Sequence, residues 1–66
     1  MHVRANGEEV EVPDGATVAS LLDKMGLSGR WVLVEHNGTA VPRAEQTSTR
    51  LADGDRLELV RAVAGG

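Results

Sequence analysis

The chain contains no cysteine, no tyrosine and no phenylalanine, and its 66 residues include one tryptophan. Without cysteine it has no disulfide, no thiolate metal ligand and no cysteine nucleophile, so any sulfur it handles must come from another molecule. His2 and His36 would need several carboxylates to complete a metal site, and we expect no metal. A chain without cysteines suits a reducing compartment, and we expect the cytoplasm.

Positively charged side chains are also scarce: the chain has seven Lys and Arg and ten Asp and Glu, which gives a net charge of −3. Nucleic-acid binding requires a clustered basic surface, so we expect no nucleic-acid partner, whereas an acidic domain suits a basic protein surface. No apolar run approaches the roughly 20 residues of a membrane helix, and no signal-peptide pattern opens the chain. We therefore expect no membrane partner. Because no paired acids or nucleophile–base set appears, we also expect no catalytic residues of its own.

The first half of the chain predicts a β-hairpin followed by one helix. Residues 1–6 and 8–12 alternate apolar and polar side chains, and Asn6-Gly7 between them is a typical hairpin turn. Thr17 is a predicted N-cap. An apolar stripe at helical spacing then ends at Gly26, which is expected to adopt a left-handed conformation. The members of that stripe are Val18, Leu21, Leu22 and Met25.

The second half predicts three more strands. Residues 31–37 and 40–41 flank a second Asn-Gly turn, and residues 56–63 alternate with Leu57 and Leu59 pointing inward. Residues 43–50 are polar and predict a loop with a helical turn, anchored by a buried Leu51. The order strand, strand, helix, strand, short strand, strand predicts an α+β fold. We expect a mixed sheet of four to five strands with one main helix packed on one face.

Local motifs add a family resemblance that covers essentially the whole chain. These motifs are Asn6-Gly7-Glu8 with the strand after it, Gly15-Ala16-Thr17-Val18, Val34-Glu35-His36-Asn37-Gly38, Val41-Pro42-Arg43, Asp53-Gly54-Asp55-Arg56 and the closing Gly65-Gly66. Together they resemble the ThiS family of the wider ThiS and MoaD group, which has the β-grasp fold of ubiquitin-like proteins. The resemblance implies one β-grasp domain over residues 1–66 with a flexible tail at about 63–66. An apolar side chain is expected at the position of His36, which is predicted to be half-buried or at a sheet edge rather than catalytic.

The same resemblance implies that the chain is a sulfur carrier in thiamin (thiazole) biosynthesis. A ThiF-type adenylyltransferase, which itself uses ATP and Mg²⁺, would adenylate the carboxylate of Gly66. A persulfide donor such as a cysteine desulfurase would then supply sulfur for a thiocarboxylate, and a ThiG-type thiazole synthase would receive it. Gly65 and Gly66 lack a Cβ atom, so their backbone can enter a narrow channel. The chain would bind no cofactor and would be a cosubstrate.

A docking patch for these enzymes is predicted on the outward side of the last strand and its neighbour. Apolar residues that fall outward by strand alternation can mark an interaction surface. They are Trp31, Leu33, Val60 and Ala62, and the following Val63 and Ala64 lead to the reactive end.

Two alternatives stay open at this point. A MoaD-like or other small carrier would share the tail chemistry but would give its sulfur to molybdopterin or to cysteine synthesis. A ubiquitin-like modifier would be joined through Gly66 to a lysine amine, and a plain interaction domain would not use the carboxylate at all.

Overall fold

A computed structural model describes residues 1–27 and 31–61. In chain order these contain β1 (His2–Ala5), β2 (Glu8–Glu11), α1 (Val18–Lys24), β3 (Val32–His36), β4 (Thr39–Val41), a 3-10 turn at Arg43–Glu45 and β5 (Arg56–Arg61). Every predicted element within the described residues is present. The expected extension of the last strand to residue 63 lies outside them.

The two Asn-Gly turns set the ends of the strands around them. Asn6 and Asn37 both adopt a φ of 51°, and Gly7 and Gly38 follow with φ values of 83° and 86°. Asparagine and glycine tolerate this left-handed region best. The predicted strands 1–6 and 31–37 each stop one residue earlier, because their last residue already belongs to the turn.

Helix α1 is capped at both ends, as its sequence predicts. The Thr17 hydroxyl accepts a hydrogen bond from the Ser20 amide at 3.2 Å, and the Ser20 hydroxyl accepts one from the Thr17 amide at 2.7 Å. At the other end Gly26 has a φ of 74°. The Leu27 amide donates to the Leu22 carbonyl at 2.8 Å, which completes a Schellman motif. These caps matter because a seven-residue helix would be marginal alone.

The five strands form one mixed sheet in the order β2-β1-β5-β3-β4. Strands β1 and β5 are parallel and central, and the other neighbours are antiparallel. The helix covers the inner face of this sheet, where alternate strand residues meet the helical stripe and Leu51. The buried core comprises Val3, Ala5, Val12, Ala16, Val18, Leu21, Leu22, Val34, Leu51, Leu57 and Leu59. The predicted α+β fold, a five-stranded β-grasp with one helix on one face, is confirmed.

Candidate functional site

The outer face of the sheet, opposite the helix, carries an exposed apolar pair. Leu33 of β3 lies directly across from Val60 of β5. The two side chains are 65% and 56% exposed, although both are apolar. The predicted adjacency of these two residues is confirmed, and their role in docking stays a prediction. Val60 lies one residue before the end of the described part of β5, so the pair lies near the end of that strand from which the sequence continues toward Gly66.

Trp31 extends this apolar surface at the start of β3. Its side chain is 66% exposed, and the guanidinium carbon of Arg43 lies 5.0 Å from the centre of its ring. That distance is typical of a cation–π contact. The contact positions the indole ring and leaves most of the side chain exposed. A groove of about 430 Å³ runs here, and its lining includes Trp31, Leu33, Ala40 and Pro42. Trp31, Leu33 and Val60 are called the apolar patch below.

The Asn6 side chain fixes the part of β5 that carries Val60. Its Oδ1 accepts a hydrogen bond from the Leu59 amide at 2.8 Å, and its Nδ2 donates to the Leu59 carbonyl at 3.0 Å. The carboxamide thus takes the place of a peptide group and continues the pairing beyond the end of β1. The sequence predicted Asn6 only as a turn residue. Because the second role depends on a contact with a residue 53 positions away, no local pattern signals it.

His36 and Asp55 fix the opposite end of β5. His36 Nε2 lies 2.6 Å from Asp55 Oδ2, and the two side chains are 21% and 12% exposed. The same carboxylate accepts hydrogen bonds from the Ala52 amide at 2.7 Å and from Asn37 Nδ2 at 3.1 Å. Burial raises the pKa of Asp55, but these hydrogen bonds, together with the charge of His36, outweigh it and hold the pKa below its ordinary value. The half-buried His36 matches its prediction.

The remaining predicted site residues lie outside the described part of the chain. These are Ala62, Val63, Ala64, Gly65 and Gly66. The candidate site that the structure does describe is therefore the apolar patch with the strand that leads from it. Within residues 1–27 and 31–61, no three His, Asp or Glu side chains cluster in a way that could hold a metal ion. No helix in that same part of the chain has the length and apolar character needed to cross a membrane.

Comparison with known proteins gives matches over the whole chain. A curated thiazole synthase of Paramagnetospirillum magneticum is 38% identical over 66 residues, which cover 100% of this chain and 20% of that protein. The chain thus spans about a fifth of the length of this curated relative.

Solved structures with the same fold include the thiamine biosynthesis protein ThiS of Geobacter metallireducens. Its crystal structure gives a TM-score of 0.83 at 29% identity and covers 100% of both chains. Its solution NMR structure gives 0.79 at 29% identity, over 100% of this chain and 88% of that one. SAMP1 of Haloferax volcanii gives 0.63 at 23% identity, over 98% and 97% of the two chains, a likeness of fold alone.

The profile of the ThiS family matches residues 2–66, which is nearly the entire sequence and includes the closing Gly65-Gly66. The chain therefore belongs to the ThiS family, a family of small sulfur carriers in thiamine biosynthesis.

Proposed function

We propose that this chain carries sulfur as a thiocarboxylate on Gly66 and delivers it for thiazole formation. The observation that carries the proposal is the family match, which runs through Gly66 itself. Gly66 would supply a terminal carboxylate, and Gly65 a slim approach to it. Neither residue bears a Cβ atom, so a partner's channel can close tightly around the backbone. In this role the chain is a cosubstrate, and the catalytic groups belong to its partners.

The chemistry requires that the carboxylate first be made an electrophile. A carboxylate resists attack because its oxygen is a poor leaving group. A Gly66 oxygen attacks the α-phosphorus of ATP and pyrophosphate leaves, which gives an acyl-adenylate. The terminal sulfur of a persulfide then attacks the acyl carbon and AMP leaves. A thiol of a partner attacks the resulting sulfur–sulfur bond, forms a disulfide and releases the thiocarboxylate. ATP and Mg²⁺ bind to the partner.

This chemistry requires two classes of enzyme that act on the carrier, and a sulfur donor that serves the first of them. A ThiF-type adenylyltransferase would activate Gly66, with a persulfide donor such as a cysteine desulfurase. A ThiG-type thiazole synthase would accept the sulfur. The thiazole synthase of Paramagnetospirillum magneticum supports the second partner, since a segment of that protein is 38% identical to this chain. If the carrier delivers its sulfur directly to a thiazole synthase, a carrier-like segment within the chain of a thiazole synthase is expected. We place these reactions in the cytoplasm.

The body of the domain would dock through the apolar patch. Its side chains are exposed in the isolated chain, and an interface that covered them would gain hydrophobic stabilisation. The Leu33–Val60 pair stands at the end of β5 from which the chain continues to Gly66. Docking there would direct the last residues into the active site of the adenylating enzyme. Ala62, Val63 and Ala64 would follow the same path into that site.

The reaction that tests the proposal is exchange of labelled pyrophosphate into ATP by a ThiF-type enzyme. The enzyme alone should exchange little label, and addition of this chain should start the exchange, because the Gly66 carboxylate accepts the adenylyl group of ATP and releases pyrophosphate reversibly. Gly66→Ala should slow it, since the added methyl meets the channel wall. Ala52→Gly serves as the matched control, because it also changes one methyl group, at an exposed position before the start of β5. Full exchange with Gly66→Ala would contradict the proposed role of this residue.

A further inference from the structure

Both asparagines of this chain are followed by glycine, and both hold β5 by hydrogen bonds. The backbone amide of Asn6 donates to the Leu57 carbonyl at 2.9 Å. Its carboxamide accepts from the Leu59 amide at 2.8 Å and donates to the Leu59 carbonyl at 3.0 Å. The residue that follows β1 therefore makes three hydrogen bonds to the neighbouring strand β5.

Asn37 repeats this arrangement from the other side of β5. Its backbone amide donates to the Arg56 carbonyl at 2.8 Å, and its Oδ1 accepts from the Arg56 amide at 2.8 Å. Its Nδ2 donates to Asp55 Oδ1 at 3.1 Å. Because β1 and β3 flank β5 in the sheet, the two Asn-Gly turns hold this strand from both sides.

An Asn-Gly sequence has a chemical reactivity that these hydrogen bonds oppose. The glycine amide nitrogen, which has no side chain beside it, loses its proton to solvent and attacks Cγ of the asparagine. A C–N bond forms, the Cγ–Nδ2 bond breaks, and ammonia leaves with a proton from water. Water then opens the cyclic imide at either of its carbonyl carbons, which gives aspartate or isoaspartate. The attack requires the carboxamide to rotate, and a carboxamide bonded at both its oxygen and its nitrogen must first break both bonds.

We propose that Asn6 and Asn37 are deamidation sites that pairing with β5 keeps unreactive and that react when β5 leaves the sheet. Each reaction replaces an NH2 donor by a carboxylate oxygen. At Asn6 this oxygen faces the Leu59 carbonyl, and at the other turn it faces the Asp55 carboxylate. Two acceptors without a proton between them repel each other, so the reacted chain holds β5 less firmly. Deamidation at one turn therefore accelerates deamidation at the other.

Peptide mass spectrometry of the full chain, incubated in mildly alkaline buffer with and without urea, measures the reaction at each turn separately. Deamidation of Asn6 and Asn37 should be roughly tenfold to a hundredfold slower in the folded chain, because two hydrogen bonds must break before the attack. Short peptides with the sequences of the two turns, in the same two solvents, correct for any effect of urea on the chemistry. Equal corrected rates in the folded and unfolded chain would overturn the inference.

Asp14-Gly15 provides an internal reference in the same samples. An Asp-Gly sequence forms the same imide by loss of water, and the side chain of Asp14 is 97% exposed. Isoaspartate at Asp14 should therefore form in the folded chain at closer to its rate in urea than the two asparagines react. Equal protection at all three positions would show that rigid turns, and not the bonds to β5, slow the reaction, which would also overturn the inference.

Asn6→Asp tests the coupling between the two turns, because it reproduces one product of the reaction. Deamidation of Asn37 in the folded variant should be several-fold faster than in the unaltered chain. Asn6→Gly, which keeps the turn and removes the carboxamide, should act in the same direction if Asn6→Asp does not fold. Gln46→Glu is the control, since it makes the same amide-to-acid change at the end of the 3-10 turn and should leave the rate at Asn37 unchanged. An unchanged rate at Asn37 in the folded Asn6 variants would refute the coupling through β5.

Discussion

Truncation of Leu33 to alanine tests whether the apolar patch contributes to docking. Complete burial of a leucine side chain stabilises by about 1.5–3 kcal/mol. Leu33 is 65% exposed, so an interface that covers the remainder gains about 1–2 kcal/mol from it. Because 1.4 kcal/mol corresponds to a factor of ten, Leu33→Ala should raise the KM for the carrier roughly 5- to 25-fold. The kcat of adenylation should stay the same, since Leu33 lies away from Gly66 in sequence.

Stability must be measured alongside, because Leu33 also pairs with Val60 across the strands. Loss of such a pair costs about 0.2–1 kcal/mol, which leaves the domain folded. Unfolding is best followed by circular dichroism, since Trp31 is already 66% exposed and its fluorescence should change little. Val10→Ala is the control: Val10 packs against the core on the other face of the sheet. It should lower stability without raising KM.

Two results would refute this reasoning. An unchanged KM for folded Leu33→Ala would show that the partner does not cover this side chain. An equal increase in KM for Val10→Ala would show that the loss follows from stability and not from the apolar patch.

Three further substitutions test contacts that stabilise the fold at the two ends of β5 and at the start of α1. Asp55→Ala should lower the free energy of unfolding by about 1.5–3 kcal/mol near neutral pH. The lowered folded pKa of Asp55 means that this contribution is present above about pH 4 and is lost as pH falls through the folded value. Urea unfolding from about pH 7 to 3 should therefore show a flatter acid limb in the variant. Asn6→Gly keeps the turn but removes both bonds to Leu59, and should cost about 1–3 kcal/mol by the same assay. Thr17→Ala removes the acceptor of the Ser20 amide and should cost about 0.5–2 kcal/mol, read as a lower Tm.

Local chemistry determines most of what could be predicted from the sequence. The Asn-Gly turns, the Thr17 cap and Gly26 each act within a few residues, so their signals are complete in a short segment. Alternation then assigns the inward and outward faces, because strand side chains point to opposite sides in turn. To predict that Leu33 and Val60 lie next to each other, the strand order of the fold was also needed.

Contacts between distant residues were not predictable in this way. The pairing of Asn6 with Leu59, the contact of Arg43 with Trp31 and the hydrogen bonds to Asp55 all depend on register between separate elements. A shift of one residue would move every outer side chain to the core. The pairing of Glu35 with Glu58 has the same origin, since nothing in either strand alone places these residues opposite each other.

The most direct test of the central claim is the intact mass of the full chain after incubation with a ThiF-type enzyme, ATP and a persulfide donor. We expect a mass increase equal to replacement of one oxygen by sulfur, located at Gly66 by fragmentation. The increase should disappear when a thiazole synthase and its other substrates are added. An unchanged mass with an enzyme that adenylates a known carrier would contradict the account, as would a product joined through Gly66 to a lysine amine.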